Sequence, residues 1–258
     1  MLVHDDNPEI LRVAREQRMS ISSSSKGNQF KWFSDNKYIK LNTYTWYENI
    51  AEVLVSYMLS FTNVQNYVKY HSCNIYEDSK LLGEGCYSYN YLNVDEQDIT
   101  FYRLFKRFGY EIGNMHYEDV RDKLYKITGV DYKPYISTCL CIDAMTYNED
   151  RHFNNFSVIV CKGKYSFAPV YDFGLACLAD TITYPLTDNI DVCLDRVSAN
   201  PFKSDFLYQL EEINAEPIKF RHDDFFNSVS LTTDTEKRAL EVIEKGVERT
   251  RDIAWIEF

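Results

Sequence analysis

The chain has 258 residues, of which 45% are hydrophobic and 16% aromatic. That composition excludes global disorder and allows a large core, and the length fits one large domain or two lobes that share an interface. A formal net charge of −11, with scattered Lys and Arg, argues against direct binding to nucleic acid or to an anionic membrane.

Cysteine usage and the lack of long apolar segments indicate a reducing compartment. The chain contains seven cysteines and no Cys-x-x-Cys motif, and most of the cysteines stand in apolar runs. Buried free thiols fit this pattern better than disulfides or a zinc site. The N-terminal residues have no apolar signal core, and no apolar run long enough for a membrane span follows. We therefore expect a cytoplasmic protein without a membrane partner, although secretion as an effector stays open.

The first third of the chain is predicted to be rich in strands. Residues 8–18 are predicted to form a short helix that begins at Pro8. A Ser-rich segment, residues 19–29, separates this helix from the next elements. Those elements are, in chain order, a β-hairpin with strands at 30–33 and 38–41, a helix at 46–60, and strands within 67–76 and 86–92. We expect residues 1–92 to form a small β-rich N-terminal lobe.

The rest of the chain, residues 93–258, is predicted to form a larger helical lobe. Its predicted elements are helices at 99–108, 117–128 and 133–147, two short strands around Lys162-Gly163-Lys164, and a helical segment at 199–258. Gly109 and Gly129 stand where helix C-caps belong, and Thr233 with Glu236 fits a capping box for the last helix. The expected fold class is α+β, with a small β-rich lobe followed by a larger, mostly helical one.

Two polar motifs contain the candidate catalytic and metal-binding residues. Asp150 and Asn155 have the spacing Asp-x-x-x-x-Asn in a predicted loop between a buried helix and a strand. Protein kinases use this spacing for an Asp that accepts the proton of the substrate hydroxyl and an Asn that binds a metal ion. Asp172 follows a predicted strand pair and precedes Phe-Gly, where kinases place the Asp that binds the Mg²⁺ bridging the nucleotide phosphates.

Other residues complete this arrangement. Lys40 lies in a predicted strand, at the place of a lysine that contacts the α- and β-phosphates. Glu52 on the next helix is expected to pair with Lys40, and Glu48 is its nearest competitor. His152 belongs to the Asp150 loop and either takes part in catalysis or braces the loop as a structural histidine. The Gly-rich loop G-x-G-x-x-G of kinases is absent from the sequence; Ser hydroxyls and backbone N–H groups around Gly27 can cradle phosphate instead.

Each of these residues also has an ordinary structural interpretation when it is taken alone. Lys40 and Glu52 would then be solvated residues of a strand and a helix, and the Ser-rich segment a solvated loop. The order of the residues decides between the interpretations. A strand Lys, a helix Glu, Asp-x-x-x-x-Asn, a strand pair and Asp-Phe-Gly follow one another. This order indicates phosphoryl transfer, and the expected α+β fold is therefore a two-lobed protein-kinase-like fold.

The chain resembles the HipA-like kinases, which are bacterial Ser/Thr kinases of toxin–antitoxin systems together with short stand-alone relatives. The segments that carry the resemblance are "SSSKGNQFKW", "KYIKL", "YENIAEVLVSYML", "DAMTYNEDRHFNNFSVI" and "FAPVYDFGLA". The later segment "NPFKSDFLYQL" resembles the stand-alone branch. The resemblance implies that ATP and Mg²⁺ are used, that a protein is the substrate and that an antitoxin-like partner is possible.

Residue by residue, the resemblance implies that Asp150 is the catalytic base and that Asn155 and Asp172 hold the metal. Lys40 is then the nucleotide lysine. In this family a loop serine can be autophosphorylated, which silences the kinase; that serine is Ser24 here, with Ser22 as the second choice. Lys26 and Gly27 belong to the same nucleotide-binding loop. A phosphate in this loop would repel the triphosphate of ATP.

Two alternatives stay open at this point. The first keeps the fold and changes the acceptor to a lipid or a small molecule, although the chain lacks a basic amphipathic helix for a membrane surface. The second is a binding module, either a nucleotide-binding pseudokinase or an interaction protein with a kinase fold. The complete set of Lys, Asp, Asn and Asp argues against the second alternative.

Overall fold

A five-stranded sheet forms the first part of the protein in the computed structural model, which describes residues 8–19, 29–113 and 115–258. Its strands are β1 (Glu9–Val13), β2 (Lys31–Ser34), β3 (Lys37–Leu41), β4 (His71–Glu77) and β5 (Lys80–Tyr89), in the order β1-β4-β5-β3-β2. Strands β2 and β3 form the predicted hairpin, because Asp35 and Asn36 adopt the positive φ angles of a tight two-residue turn. The other neighbours are antiparallel, except that β1 runs parallel to β4.

The prediction of a helix at residues 8–18 is wrong. The segment forms β1 and a single 3-10 turn at Arg15–Gln17. Leu11 and Val13, two residues apart, are both buried against the sheet, whereas the residues between and before them are exposed. This period of two is the pattern of a strand, and pairing with β4 satisfies the backbone that a helix of this length would leave half unpaired.

Helix α1 (Glu48–Leu59), which the sequence predicts at 46–60, is buried on nearly every side. It packs on β4 and β5 on one side and on the last helix of the chain on the other, which explains its continuous apolar sequence. Its start is held next to the end of β3 by a pair of amides. The amide nitrogen of Asn42 donates to Oδ1 of Asn49 at 2.7 Å, and the backbone N–H of Asn49 donates to Oδ1 of Asn42 at 2.9 Å.

The remaining elements are mostly helical. They are β6 (Glu96–Thr100), α2 (Phe101–Arg107), α3 (Tyr117–Thr128), α4 (Lys133–Thr146), β7 (Ser157–Cys161), β8 (Lys164–Phe167), α5 (Ile190–Leu194), α6 (Phe206–Glu212), β9 (Ile218–Phe220), α7 (His222–Ser228), α8 (Asp234–Arg249) and β10 (Trp255–Glu257). Strands β6, β7 and β8 form a small antiparallel sheet, and β9 pairs in parallel with β10. The α+β class is therefore confirmed, whereas the division into lobes at 1–92 and 93–258 stays a prediction.

The predicted helix ends are partly confirmed. Gly129 ends α3 with a φ of 71°, and Thr233 and Glu236 form the predicted capping box of α8. The helix predicted at 99–108 begins two residues later, because Thr100 caps α2 and the residues before it pair with β7. Hydrogen bonds to a strand distant in sequence outweigh the local helical pattern there.

The apolar core continues from α1 into the helices. Helix α4, which directly precedes the loop that carries Asp150, is buried along almost its whole length.

All seven cysteines are free, as predicted, and only Cys161 is partly exposed. Within the described ranges, the chain has no helix with the length and apolarity that crossing a bilayer requires.

Candidate active site

The loop that carries Asp150 begins where α4 ends. Tyr147 adopts a φ of 52° and stops the helix, so that the following residues turn back toward it. The side-chain amide of Asn148 then donates to Oδ1 of Asp143 at 2.8 Å, and its backbone N–H donates to the carbonyl of the same residue at 3.0 Å. The loop is thus attached to a buried carboxylate on the helix that precedes it.

A fully buried arginine organises the same loop. The Arg151 guanidinium binds the Asp143 carboxylate with two bonds, Nε to Oδ2 at 2.7 Å and Nη2 to Oδ1 at 2.9 Å. Its remaining nitrogen donates to the backbone carbonyls of Asn155 at 2.9 Å and Tyr171 at 3.0 Å. Because Tyr171 precedes Asp172, Arg151 ties the two polar motifs of the sequence to each other.

Asn155 and Asp172 are in direct contact. The amide nitrogen of Asn155 donates to Oδ2 of Asp172 at 2.5 Å. Asp172 has a φ of 67°, a left-handed conformation that is uncommon for a residue with a side chain and that recurs at functional sites. Its backbone N–H donates to the hydroxyl of Tyr70 at 3.3 Å. Hydrogen bonds therefore hold both the side chain and the backbone of Asp172 in place.

Lys40 joins the sheet to these motifs. Its ammonium donates to Oε1 of Glu52 at 2.5 Å and to Oδ1 of Asp172 at 2.7 Å. The second oxygen of Glu52 accepts the backbone N–H of Phe173 at 2.8 Å. Glu52 is fully buried, and Lys40 keeps only 13% of its side chain exposed. Three elements, β3, α1 and the Asp-Phe-Gly segment, thus meet at one charged cluster.

Lys40 and Asp172 each stabilise the charged form of the other. Burial disfavours the charged form of Lys40, but Asp172 and Glu52 outweigh it and hold the pKa of Lys40 above its usual range. Burial likewise opposes ionisation of Asp172, but Lys40 and then Lys31 hold the pKa of Asp172 well below its usual range. Burial raises the pKa of Glu48 to about 7, against the donor N–H of Thr43. A cationic Lys40 therefore faces an anionic Asp172.

Two connected spaces adjoin the cluster. A small recess is lined by Asp150, Asn155 and Asp172 together with Lys31 and Glu48. A larger cavity of about 350 Å³ lies between the sheet and β6, is also lined by Lys40, and shares Lys31 and Asp172 with the recess as lining residues. The larger cavity has the size of a small-molecule site, whereas the recess is much smaller.

The structure brings most of the predicted residues together. Lys40, Glu52, Asn155 and Asp172 form one contact network, and Asp150 lines the adjoining recess. His152 fixes the loop through its backbone, because its N–H donates to Oδ1 of Asn155 at 3.3 Å and its carbonyl accepts the N–H of Asn155 at 2.8 Å. The predicted loop residues Ser22, Ser24, Lys26 and Gly27 lie outside the described residues.

Sequence reasoning missed several residues that shape the site. Arg151 and Asp143 are the buried pair described above; a single acidic residue within the apolar helix at 133–147 was the available signal. Lys31 pairs in register with Lys40 on the neighbouring strand and lines both spaces. Tyr70 lies under the Lys40 ammonium, 5.1 Å from the ring centroid, and no local pattern distinguishes it from the other tyrosines.

Comparisons with known proteins support the fold. By sequence, neither a protein-family model nor a curated protein matches the chain. By structure, the chain is similar to the Helicobacter pylori proinflammatory kinase CtkA, with a TM-score of 0.60 and 12% identity over 86% of this chain and 90% of that one. A weaker similarity, with a TM-score of 0.46 and 11% identity, links 91% of this chain to 58% of a chain in the Shewanella oneidensis MR-1 complex of HipA, HipB and operator DNA. The chain therefore has a fold similar to that of the kinase CtkA.

Proposed function

We propose that this protein is a HipA-like kinase that transfers the γ-phosphoryl group of ATP to a Ser or Thr hydroxyl of a protein. The observation that carries the proposal is the contact of Lys40 with both Glu52 and Asp172, at 2.5 and 2.7 Å, beside Asn155. A structural ion pair needs one partner, whereas phosphoryl transfer needs a lysine positioned by an acid and a second acid at the metal site. Lys40 would position the α- and β-phosphates, and Glu52 would position Lys40.

Asp150 would orient the acceptor hydroxyl and accept its proton. The hydroxyl oxygen forms a bond to the γ-phosphorus while the bond from that phosphorus to the bridging oxygen of ADP breaks. The proton moves to the Asp150 carboxylate, and ADP leaves with the bridging oxygen. Asp150, Lys31 and Asp172 line one recess, so the reacting groups would meet at this place.

The residues fit a magnesium ion that is shared with the nucleotide. Asn155 and Asp172 supply an amide and a carboxylate in direct contact, which are oxygen ligand types that Mg²⁺ takes. No group of three or more His, Cys, Asp or Glu in the described ranges is arranged to hold a metal alone. Mg²⁺ commonly completes its shell with phosphate oxygens and water, and when bound it would neutralise charge on the β- and γ-phosphates. Metal binding by Asn155 requires that its amide oxygen turn toward the Asp172 side.

Several further points belong to the same proposal. The sheet with α1 forms the smaller lobe and the helical part the larger one, with ATP between them and its adenine near residues 89–92. Autophosphorylation at Ser24 or Ser22 would silence the enzyme through repulsion of the triphosphate. Action on a protein substrate in the bacterial cytoplasm, and an antitoxin-like partner, stay predictions from the resemblance.

Intact-mass measurement of the purified protein with Mg-ATP tests the proposal, with Asp150→Asn beside the wild type. We expect one or more phosphates on the wild type alone, and their position in Ser22–Ser25 after proteolysis. The same pair of proteins is melted with and without Mg-ATP, because Asp150→Asn should still bind the nucleotide and gain thermal stability from it. Full turnover by Asp150→Asn would contradict the assignment of the base. A thermal shift without turnover, on any protein acceptor offered, would favour the pseudokinase alternative.

A further inference from the structure

The larger cavity contains a carboxylate that the proposed phosphoryl transfer does not use. Asp98, on β6, lines this cavity together with Tyr91, Leu92 and Tyr171. Its Oδ1 is buried, and no donor in the described part of the chain forms a hydrogen bond with it. A buried acceptor without a donor destabilises a folded protein, so such an atom inside a cavity points to a ligand that supplies the donor.

Strand pairing fixes where this carboxylate lies. In the register of β6 with β7, Asp98 is opposite Ile159 and Thr100 is opposite Ser157, so Asp98 and Ser157 lie on one face of the sheet. The hydroxyls of Ser157 and Tyr171 are 2.7 Å apart on that face. The cavity wall is therefore polar here, although the strand behind it belongs to the apolar core.

The surroundings of Asp98 distinguish this wall from the charged cluster. Burial raises the pKa of Asp98, hydrogen bonding of the carboxylate to the hydroxyls of Ser157 and Tyr91 opposes that shift, and the charged group that acts on it is Arg103. Oδ1 itself has no donor in hydrogen-bond geometry among the described residues. Lys40 and Asp172 also line the cavity, but they form an ion pair with each other and not with Asp98. The cavity thus offers a cation at one place for phosphates and a carboxylate at another place, where phosphates would be repelled.

We infer that Oδ1 of Asp98 accepts a hydrogen bond from the nucleoside part of the bound nucleotide. The inference rests on the proposed function for the presence of a nucleotide. The shared chemistry is a neutral N–H or O–H donor, which in an adenine nucleotide is a ribose hydroxyl or the 6-amino group. The carboxylate would also set the direction of the nucleotide, since its phosphates are attracted to Lys40 and excluded from β6.

Calorimetric binding of ADP and three analogues tests this inference. The analogues are 2′-deoxy-ADP, 3′-deoxy-ADP and purine riboside 5′-diphosphate, and each lacks one donor. We expect the wild type to lose about 10- to 100-fold in affinity with the analogue that lacks the donor to Asp98, the range for a hydrogen bond to a charged group. Asp98→Ala should bind ADP with the same loss and should no longer distinguish ADP from that analogue.

The control variant is Asp95→Ala. Asp95 precedes the same strand and carries the same charge, but its side chain is 60% exposed and pairs with Lys162 at 3.0 Å on the surface. It should keep the discrimination of the wild type. If Asp98→Ala does not fold, Asp98→Asn decides, because it retains the shape and one acceptor oxygen without the charge and should show a smaller discrimination.

The outcomes separate the inference from the proposed function. ADP binding with equal discrimination in the wild type and in the Asp98 variants would overturn the inference alone. The absence of ADP binding by the folded wild type would overturn the proposed function and the inference together. Loss of discrimination in the Asp98 variants, with an unchanged Asp95→Ala, would establish the contact and identify its donor.

Discussion

Arg151 and Asp143 form an ion pair from which water is entirely excluded, since both side chains are fully buried and Nε lies 2.7 Å from Oδ2. The pair joins the helix before the catalytic loop to the loop itself. The third nitrogen of the guanidinium extends the connection to the carbonyl of Tyr171, next to Asp172. The relative position of the predicted base and the predicted metal ligand therefore depends on a residue that touches neither reacting group.

Loss of Arg151 should be strongly destabilising. Arg151→Met leaves the Asp143 charge buried without an opposite charge, and removal of one member of such a pair typically costs about 3–5 kcal/mol in the free energy of unfolding. Urea unfolding measures the change. The exposed pair of Arg121 and Asp131 provides the control, because Arg121→Met should alter the unfolding midpoint little.

A double variant separates the charge from the positioning role of the same pair. Asp143→Leu with Arg151→Met should recover much of the lost stability, because no unpaired charge remains in the interior. Phosphoryl transfer should stay low, since the carbonyls of Asn155 and Tyr171 have lost their shared donor. Recovery of full activity along with stability would show that Arg151 does not position the loop.

Lys31 should contribute to nucleotide binding independently of Lys40. It lines the recess of Asp150 and lowers the pKa of Asp172, so its charge acts at the place proposed for the phosphates. Lys31→Met should weaken ADP binding about 10- to 100-fold, as expected for a lost charged hydrogen bond, and calorimetry measures the change. Lys80→Met, at the exposed start of β5, is the matched control and should bind like the wild type.

Glu48 should make stability fall as pH rises from about 4.5 to about 7. Burial raises its pKa in the folded protein to about 7, above the ordinary 4.5 of a glutamate, so the folded state holds a proton in this window that the unfolded state has lost. The stabilisation is complete below the unfolded pKa and disappears above the folded one. The difference is at most about 3 kcal/mol.

Glu48→Gln should remove that slope. The amide carries no charge at any pH, so the variant should unfold at higher urea than the wild type at pH 8 and show a flatter profile between pH 5 and pH 7. Glu118→Gln, whose side chain is 71% exposed, is the control. Parallel profiles for the wild type and Glu48→Gln would show that Glu48 is already ionised at low pH.

Gly246 should tolerate no larger side chain. A Cβ at this position of α8 would lie 2.2 Å from the carbonyl oxygen of Met145, near the end of α4. Gly246→Ala should therefore separate the two helices and lower the free energy of unfolding by about 1–3 kcal/mol, measured by urea unfolding. Gly113→Ala is the control, because a Cβ there meets no atom within 4 Å. Unchanged stability of Gly246→Ala would mean that α8 shifts without cost.

Much of the fold could be predicted from local sequence patterns, and the wrong predictions have a common cause. The hairpin of β2 and β3, helix α1 and the capping box of α8 depend on neighbouring residues, so turn residues and apolar periodicity predict them. Strand β1 and the last two residues of β6 depend on hydrogen bonds to β4 and β7, far away in sequence. Their local patterns suggested helix because a short apolar segment fits both periods until its partner is known.

The candidate site shows the same division. The spacing from Asp150 to Asn155, the Asp before Phe173-Gly, and Lys40 before a helix with Glu52 are visible in the chain itself, because kinase chemistry needs those side chains in that order. Which acid pairs with Lys40 was settled by packing, since Glu52 is turned toward β3 while Glu48 accepts the N–H of Thr43. The chemistry of a reaction determines which residue types it needs, so these residues can be recognised from the sequence. Residues such as Arg151 and Asp98 gain their roles only when separate segments bury them together, because burial is what makes an unpaired charge or acceptor costly.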